Sequence, residues 1–268
     1  MRLELPHREQ NSNKGTFGKV INLSGSKNYI GAPYLSTLAV LKIGAGYASL
    51  AGSAKIIDSV SKMLPEAVFM SEYEGYKALD KYNVLLIGCG IGQGFWAKYW
   101  FKKYIKKAEK LNISTIIDAD GLNILAKTKI KLPKNTIITP HPAEASRLMG
   151  AGINDILNDL ETSAEKLSEK YNCITVLKTH RTLIYAPNGN IYENEHGNSA
   201  LAKAGSGDVL AGITAGLLAQ KMNAFDSAKL AVYLHSRAGE IASETLTEYS
   251  VLPSDIIKYL PKAVAELV

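Results

Sequence analysis

The chain has 268 residues, of which 46% are hydrophobic and 21% charged, with a net charge of +6; this fits a globular protein with a sizeable core and a mild attraction for anionic small molecules. Two cysteines cannot build a disulfide framework and read as free thiols of the cytoplasm, and the polar opening stretch lacks the apolar core of a secretory signal. No apolar run approaches the ~18 residues of a membrane span, and no Arg-rich block interleaved with aromatics argues for nucleic acid, so neither is an expected partner.

In chain order, short apolar runs alternate with helical patterns. KVINLSGS (Lys19–Ser26) reads as a buried strand ending in a Gly-rich turn, and GAPYLSTLAVLKIGAG (Gly31–Gly46) as a helix with Pro33 in its first turn. NVLLIGCGIG (Asn83–Gly92) is a strand with a glycine tail, and Phe95–Leu111 a long amphipathic helix whose lysines face solvent. Ser114–Asn123 and Asn135–Glu144 each place a polar tip after an apolar strand. Residues 153–172 read as one helix, and CITVLKTHRT as a strand. TLIYAPNGNIYEN is a hairpin turned at Pro187, Asn188 and Gly189. Helices over Asp208–Gln220, Ala224–Thr245 and Pro253–Leu260 complete the chain.

This alternation predicts an α/β fold with a mostly parallel central sheet flanked by helices, formed as a single domain over residues 1–268, since no linker, low-complexity run or internal repeat interrupts it. The polar tips follow the strands, at the carboxyl ends where open α/β sheets bind ligands. Two familiar phosphate motifs are absent. GTFGK (Gly15–Lys19) lacks the P-loop spacing and precedes a strand, and GCGIGQG (Gly88–Gly94) lacks the G-x-G-x-x-G spacing. The latter is either a flexible turn or a backbone that lets a flat ligand approach closely.

The strongest signal is AGSGD before the apolar helix. Small residues at a helix N-terminus let the N–H groups of Gly205, Ser206 and Gly207 converge on one spot, where the helix dipole adds positive charge. This suits phosphoryl oxygens. Asp208 is either the helix cap or a base placed to take a proton from a hydroxyl attacking phosphorus. TPHPAE brackets His141 with prolines, leaving a solvated loop histidine or one aimed at a site. Glu144 caps the next helix or orders a metal ion and its waters. DADGLN is an Asx-rich turn on its plainest reading, and KTHRT (Lys178–Thr182) a hairpin tip or a nucleotide rim. Cys89 is a small filler in a tight turn.

Taken together, NKGTFGKVINLSGSKNYIGAPYLSTLAVLKIGAGY, DADGLNIL, TPHPAEASRL, GNSALAKAGSGDVLAGITAGLLAQ and AVYLHSRAG, in this order, resemble the ADP- or ATP-dependent NAD(P)H-hydrate dehydratases of the ribokinase-like superfamily. The resemblance covers nearly the whole chain. It implies that ADP or ATP, with Mg²⁺, phosphorylates the hydroxyl of the S epimer of NAD(P)H hydrate, and that phosphate elimination restores NAD(P)H. It also implies a homo-oligomer, with a tetramer among the possibilities. By resemblance, Ala32, Gly90, His141 and Asp208 contact the hydrate, with Asp208 the base. Lys178, Thr179, His180, Arg181, Thr182 and Gly207 contact the nucleotide, and Glu144 organises Mg²⁺ directly or through water. In bifunctional relatives an epimerase domain comes first; here the first motif begins near Asn13, which implies the stand-alone dehydratase. This chain departs from the family's usual residues at Asn13, Cys89, Ala143 and Thr179. A small-molecule kinase of the same superfamily and a catalytically silent nucleotide-binding protein are the competing expectations; the intact GSGD argues against the latter.

Overall fold

The computed structural model describes residues 3–268. Its centre is a nine-stranded sheet in the order β3-β2-β1-β4-β5-β6-β7-β8-β9. The strands are β1 (Lys19–Leu23), β2 (Tyr47–Ala51), β3 (Val68–Met70), β4 (Val84–Ile87), β5 (Ser114–Ile117), β6 (Thr136–Ile138), β7 (Ile174–Leu177), β8 (Leu183–Tyr185) and β9 (Ile191–Glu193). The first seven pair in parallel, and the last two fold back as antiparallel hairpins at one edge. The expected mostly parallel sheet is therefore present.

The central strands are apolar on both faces because both faces are covered. Side chains alternate across the sheet. Val20, Leu86, Ile116 and Ile137 enter one core, under α1 (Gly31–Lys42), α9 (Ser206–Ala219), α10 (Ala224–Ser250) and α11 (Pro253–Ala265). Ile21, Leu85, Ile87 and Ile117 enter the other, under α3 (Glu72–Ala78), α4 (Phe95–Leu111), α5 (Asp120–Leu125), α6 (Pro142–Met149) and α8 (Leu160–Tyr171). Helix α9 is buried along nearly all of its length, as its unbroken apolar sequence predicts.

The last two helices run further than the sequence reading, α10 to Ser250 through a break at Thr247 (φ 63°, ψ 156°) and α11 to Ala265, and three other segments differ from it. The stretch read as one helix over residues 153–172 is two, α7 (Ile153–Asn158) and α8, because Asp159 leaves helical geometry (φ −149°, ψ 86°) and accepts a hydrogen bond from the Thr162 N–H at 3.0 Å as a new cap. The DADGLN turn is the start of helix α5, entered through Ala119 at φ 49°. Between residues 47 and 81 the sheet gains β2 and β3, with α2 (Ala54–Ser61) and α3 beside them, none of which the sequence reading identified. No helix among the described residues is long and apolar enough to cross a membrane.

Candidate active site at the carboxyl ends of the strands

The tails of β5, β6 and β7 meet at Asp118. This carboxylate is buried, and its Oδ1 accepts hydrogen bonds from Thr139 Oγ1 at 2.7 Å and Lys178 Nζ at 2.8 Å. Cys89, in the β4 tail, points its Sγ at Asp118 Oδ2 from 4.0 Å. Burial opposes a charge on Lys178, but Asp118 and Glu144 beside it overcome that and raise its pKa, so the ammonium is retained. Asp120, two residues on, turns away and accepts from the Gly92 N–H at 2.8 Å, which holds the β4 tail in place.

Helix α9 arrives at the same spot N-terminus first. Gly205 precedes it in the left-handed region (φ 99°), which a glycine adopts without strain, and no side chain caps the helix. The Ser206 N–H is spent on the Lys203 carbonyl at 3.1 Å, contrary to its expected place in the anion hole, because the turn from Lys203 closes tightly onto the helix. Among the described residues, the Gly207 and Asp208 N–H groups have no intramolecular acceptor. They lie in the first turn, where the dipole favours an anion. Ser206 Oγ instead pairs with His235 Nε2 of α10 at 3.0 Å, and burial pushes that imidazole down to about 4, so it is neutral at pH 7.

Asp208 stands at this helix start. One of its oxygens, one of Asp118 and Cys89 Sγ lie within 4.8 Å of one another. Burial, reinforced by the negative Asp118, pushes the Asp208 carboxyl up to about 7. A carboxylate with a pKa near neutrality can both take and return a proton at physiological pH. Burial also raises Glu144, against the pull of Lys178. Its Oε2 accepts the His141 N–H at 2.9 Å while His141 Nδ1 accepts the Ala143 N–H at 3.2 Å, so the pair caps α6 reciprocally. Burial lowers the pKa of His141, with Lys178 adding to the effect.

These groups line a cleft of about 800 Å³. It contains His141, Glu144, Lys178, Thr179, His180 and Thr182 on the strand side, and Gly205, Ser206, Gly207 and Asp208 on the helix side. Arg181 turns outward to Glu193 at 3.7 Å and does not line it. Ala32 and Gly90 lie outside the cleft and against each other; a side chain at Gly90 (φ 63°) would strike Cβ of Tyr29 at 2.6 Å and of Ala32 at 3.1 Å. The sequence reading missed Asp118 as the hub, together with His235 and His196 on the cleft wall. DADGLN had drawn attention to Asp118, but its partner Lys178 lies sixty residues away and only the sheet joins them.

Comparison with known proteins agrees with this fold. A profile of the NAD(P)H-hydrate dehydratase family matches residues 20–262. The chain is 35% identical over 253 residues to the ADP-dependent (S)-NAD(P)H-hydrate dehydratase of Neisseria meningitidis, covering 91% of this chain and 84% of that one. A ribokinase-like superfamily protein from Enterococcus faecalis superposes with a TM-score of 0.90 at 30% identity, covering 98% and 92% of the two chains. The ADP/ATP-dependent NAD(P)H-hydrate dehydratase of Bacillus subtilis, co-crystallised with ATP and Mg²⁺, superposes with a TM-score of 0.88 at 28% identity, covering 99% and 95%. The chain spans about half the length of the bifunctional NAD(P)H-hydrate repair enzymes that it also matches. With a profile match over most of its length and a ribokinase-like sheet carrying the GSGD helix start, the chain belongs to the NAD(P)H-hydrate dehydratase family.

Proposed function

We propose that the protein uses ADP or ATP to dehydrate the S epimer of NAD(P)H hydrate, restoring NAD(P)H and releasing AMP or ADP with phosphate. The observation that carries this reading is Asp208, a carboxylate pushed up to about 7 beside two free N–H groups at the start of α9. Asp208 takes the proton of the ring hydroxyl as that oxygen bonds to the terminal phosphorus of the nucleotide and the bridging P–O bond breaks. The Gly207 and Asp208 N–H groups hold the transferring phosphoryl oxygens. Phosphate then leaves with the C–O bonding pair, and loss of a proton from the neighbouring ring carbon restores the double bond. Phosphate is a far better leaving group than hydroxide, so a kinase-like site drives a dehydration.

Lys178, held by Asp118, supplies a fixed positive charge at the phosphates, and the loop Thr179–Thr182 forms the rim around the nucleotide. His141 orients the hydrate from the β6 side, while Ala32 and Gly90 give the ring a flat surface of backbone and methyl group. One oxygen of Glu144 is committed to the α6 cap and the other lies 3.5 Å from His141 Nε2, which suits a carboxylate that reaches Mg²⁺ through water rather than by direct ligation. Mg²⁺ bound with the nucleotide would neutralise phosphate charge. The same reading takes residues 1–268 as one domain acting in the cytoplasm, where two buried free cysteines stay reduced, and assembling as a homo-oligomer.

The test is incubation of NADH hydrate with ADP, with ATP, or with neither. Return of the reduced-nicotinamide absorbance together with one free phosphate per molecule restored, only when nucleotide is present, is the expected result. A stable phosphoester without return of absorbance would make the protein a small-molecule kinase instead.

A further inference from the structure

A second cleft, of about 210 Å³, opens at the carboxyl ends of β1 and β2 beside the tail of β4. The strand order reverses between β1 and β4, with β2 and β3 on one side and β5 to β7 on the other. Such a switch point is where an open α/β sheet leaves a crevice for a ligand. The cleft is smaller than the ~300–1,000 Å³ of a complete small-molecule site, so it suits part of a ligand. It is also joined to the main site through backbone. The Gly25 N–H donates to the Cys89 carbonyl at 2.9 Å, Ile91 lines the cleft one residue beyond Gly90, and Cys89 Sγ lies beside Asp208.

The walls of this cleft are chemically mixed. Trp96 and Trp100 of α4 form one side, and Trp96 leaves 67% of its surface open to solvent. Ser24, Ser26 and Lys27 follow β1 on the other side, and Glu72 closes an end. Ser24 is only 1% exposed, yet its hydroxyl has no hydrogen-bond partner among the described residues. A buried hydroxyl left unpaired calls for an outside partner.

We propose that this cleft takes the adenylate half of the dinucleotide hydrate, an inference that rests on the function proposed above. The purine stacks on Trp96 with Trp100 beneath it, as bases do on aromatic platforms. The Ser24 and Ser26 hydroxyls and the Lys27 ammonium meet the diphosphate, and the Glu72 carboxylate accepts from ribose hydroxyls. From the diphosphate held at Ser24, Ser26 and Lys27, the nicotinamide-side ribose leads out of this cleft and lays the damaged ring on Gly90 and Ala32, beside Asp208. The phosphate donor occupies the other cleft, on the far side of Asp208.

The test compares Trp96→Ala and Lys27→Ala with the wild type at saturating ADP, on NADH hydrate and on the hydrate of reduced nicotinamide mononucleotide, which lacks the adenylate half. The expected result for both variants is a KM for NADH hydrate raised roughly 10-fold or more and an unchanged KM for ADP; Trp96→Ala should show no change with the mononucleotide, and Lys27→Ala a smaller loss there than on NADH hydrate, since one phosphate remains; Trp96→Phe should keep most of the wild-type KM. Unaltered KM values for NADH hydrate would overturn the inference. An equal loss on both substrates would make the effect structural, and a raised KM for ADP would give the cleft to the phosphate donor; either also overturns it. A wild type that converts neither hydrate with ADP or ATP removes the functional reading itself, and the inference with it.

Discussion

Asp208 is stable in its place only because the fold around it tolerates a half-buried, partly desolvated carboxyl, and this links its chemistry to its cost. The unfolded carboxyl titrates near ~3.9, and the folded one is pushed up to about 7 by burial and by Asp118. Between these values the folded state holds a proton that the unfolded state lacks. Stability from this group is therefore fully present below the lower value and declines as pH rises through the window to about 7. Asp208→Asn carries no charge to desolvate. Its melting temperature, relative to wild type, should rise from pH 4 to pH 8, measured by circular dichroism in matched buffers. Its kcat should fall by ~10²–10⁴, the usual share of a general base, and wild-type kcat should decline as pH drops below about 7. Turnover by Asp208→Asn within a few-fold of wild type would leave Asp208 as a helix-start residue only. Gly207 answers a different question. A Cβ there would lie 3.3 Å from Lys178 Nζ and 3.7 Å from Asp118 Oδ2, contacts that a flexible side chain can yield to. Gly207→Val should therefore fold, while titration calorimetry with ADP should show affinity lost by more than about 10-fold as the branched side chain covers the free N–H groups. Unchanged affinity would put the nucleotide elsewhere.

At the scale of elements, the position of α9 depends on its contact with α1. Gly212 and Gly216 are four residues apart and share a face. A Cβ on Gly212 would lie 2.3 Å from the Ser36 carbonyl oxygen and 2.7 Å from Ala39 Cβ, and one on Gly216 would lie 2.2 Å from Ile43 Cγ2. The two helices approach so closely that glycine is required on this face. Gly→Ala in a helix ordinarily stabilises by up to ~1 kcal/mol. Here the sign should reverse, and Gly212→Ala should lose ~1–3 kcal/mol in urea denaturation through overpacking. Because α9 carries Asp208 on its first turn, kcat should fall as well. A stability equal to or above wild type would mean that α1 moves aside freely. The length and burial of α9 were legible from its unbroken apolar run, and those of α4 from its period. The break at Asp159 was not, since it depends on one side chain capping Thr162 in the middle of a continuous helical pattern. Strand β2 reads YASLA, with small residues that make no distinct apolar run, and β3 is a three-residue, half-buried edge strand. Short edge elements take their conformation from pairing with β1 and β2, which no local pattern announces.

Across the whole molecule, the sequence showed which side chains follow strands but not which of them meet. His141, Lys178 and Asp208 were singled out separately; the parallel sheet brings the strand tails of His141 and Lys178 to one edge beside Asp118, and the start of α9 brings Asp208 to the same place. Ala32 and Gly90, expected to serve the same substrate, line neither cleft; Gly90 sits in the β4 tail between Cys89, whose Sγ is near Asp208, and Ile91, which lines the second cleft. The main cleft is thus assembled from segments spread between residues 118 and 236 and backed by both cores. A nucleotide bound there should stabilise every segment at once. Ligand at 100 times its Kd adds ~2.7 kcal/mol, and for a chain of this size that moves the midpoint by roughly 5 °C. Scanning calorimetry with ADP should therefore show a single transition displaced upward as a whole, with the displacement growing with ADP concentration. Gly207→Val should melt in one transition too, but the same ADP concentration should move it by half as much or less, since a 10-fold loss of affinity leaves ~1.4 kcal/mol of the ~2.7. If ADP instead splits the wild-type transition, shifting one part and leaving the other, the chain is two cooperative units rather than one, and the cleft belongs to only one of them. An upward shift retained in full by Gly207→Val would show that the stabilising nucleotide does not sit at the start of α9.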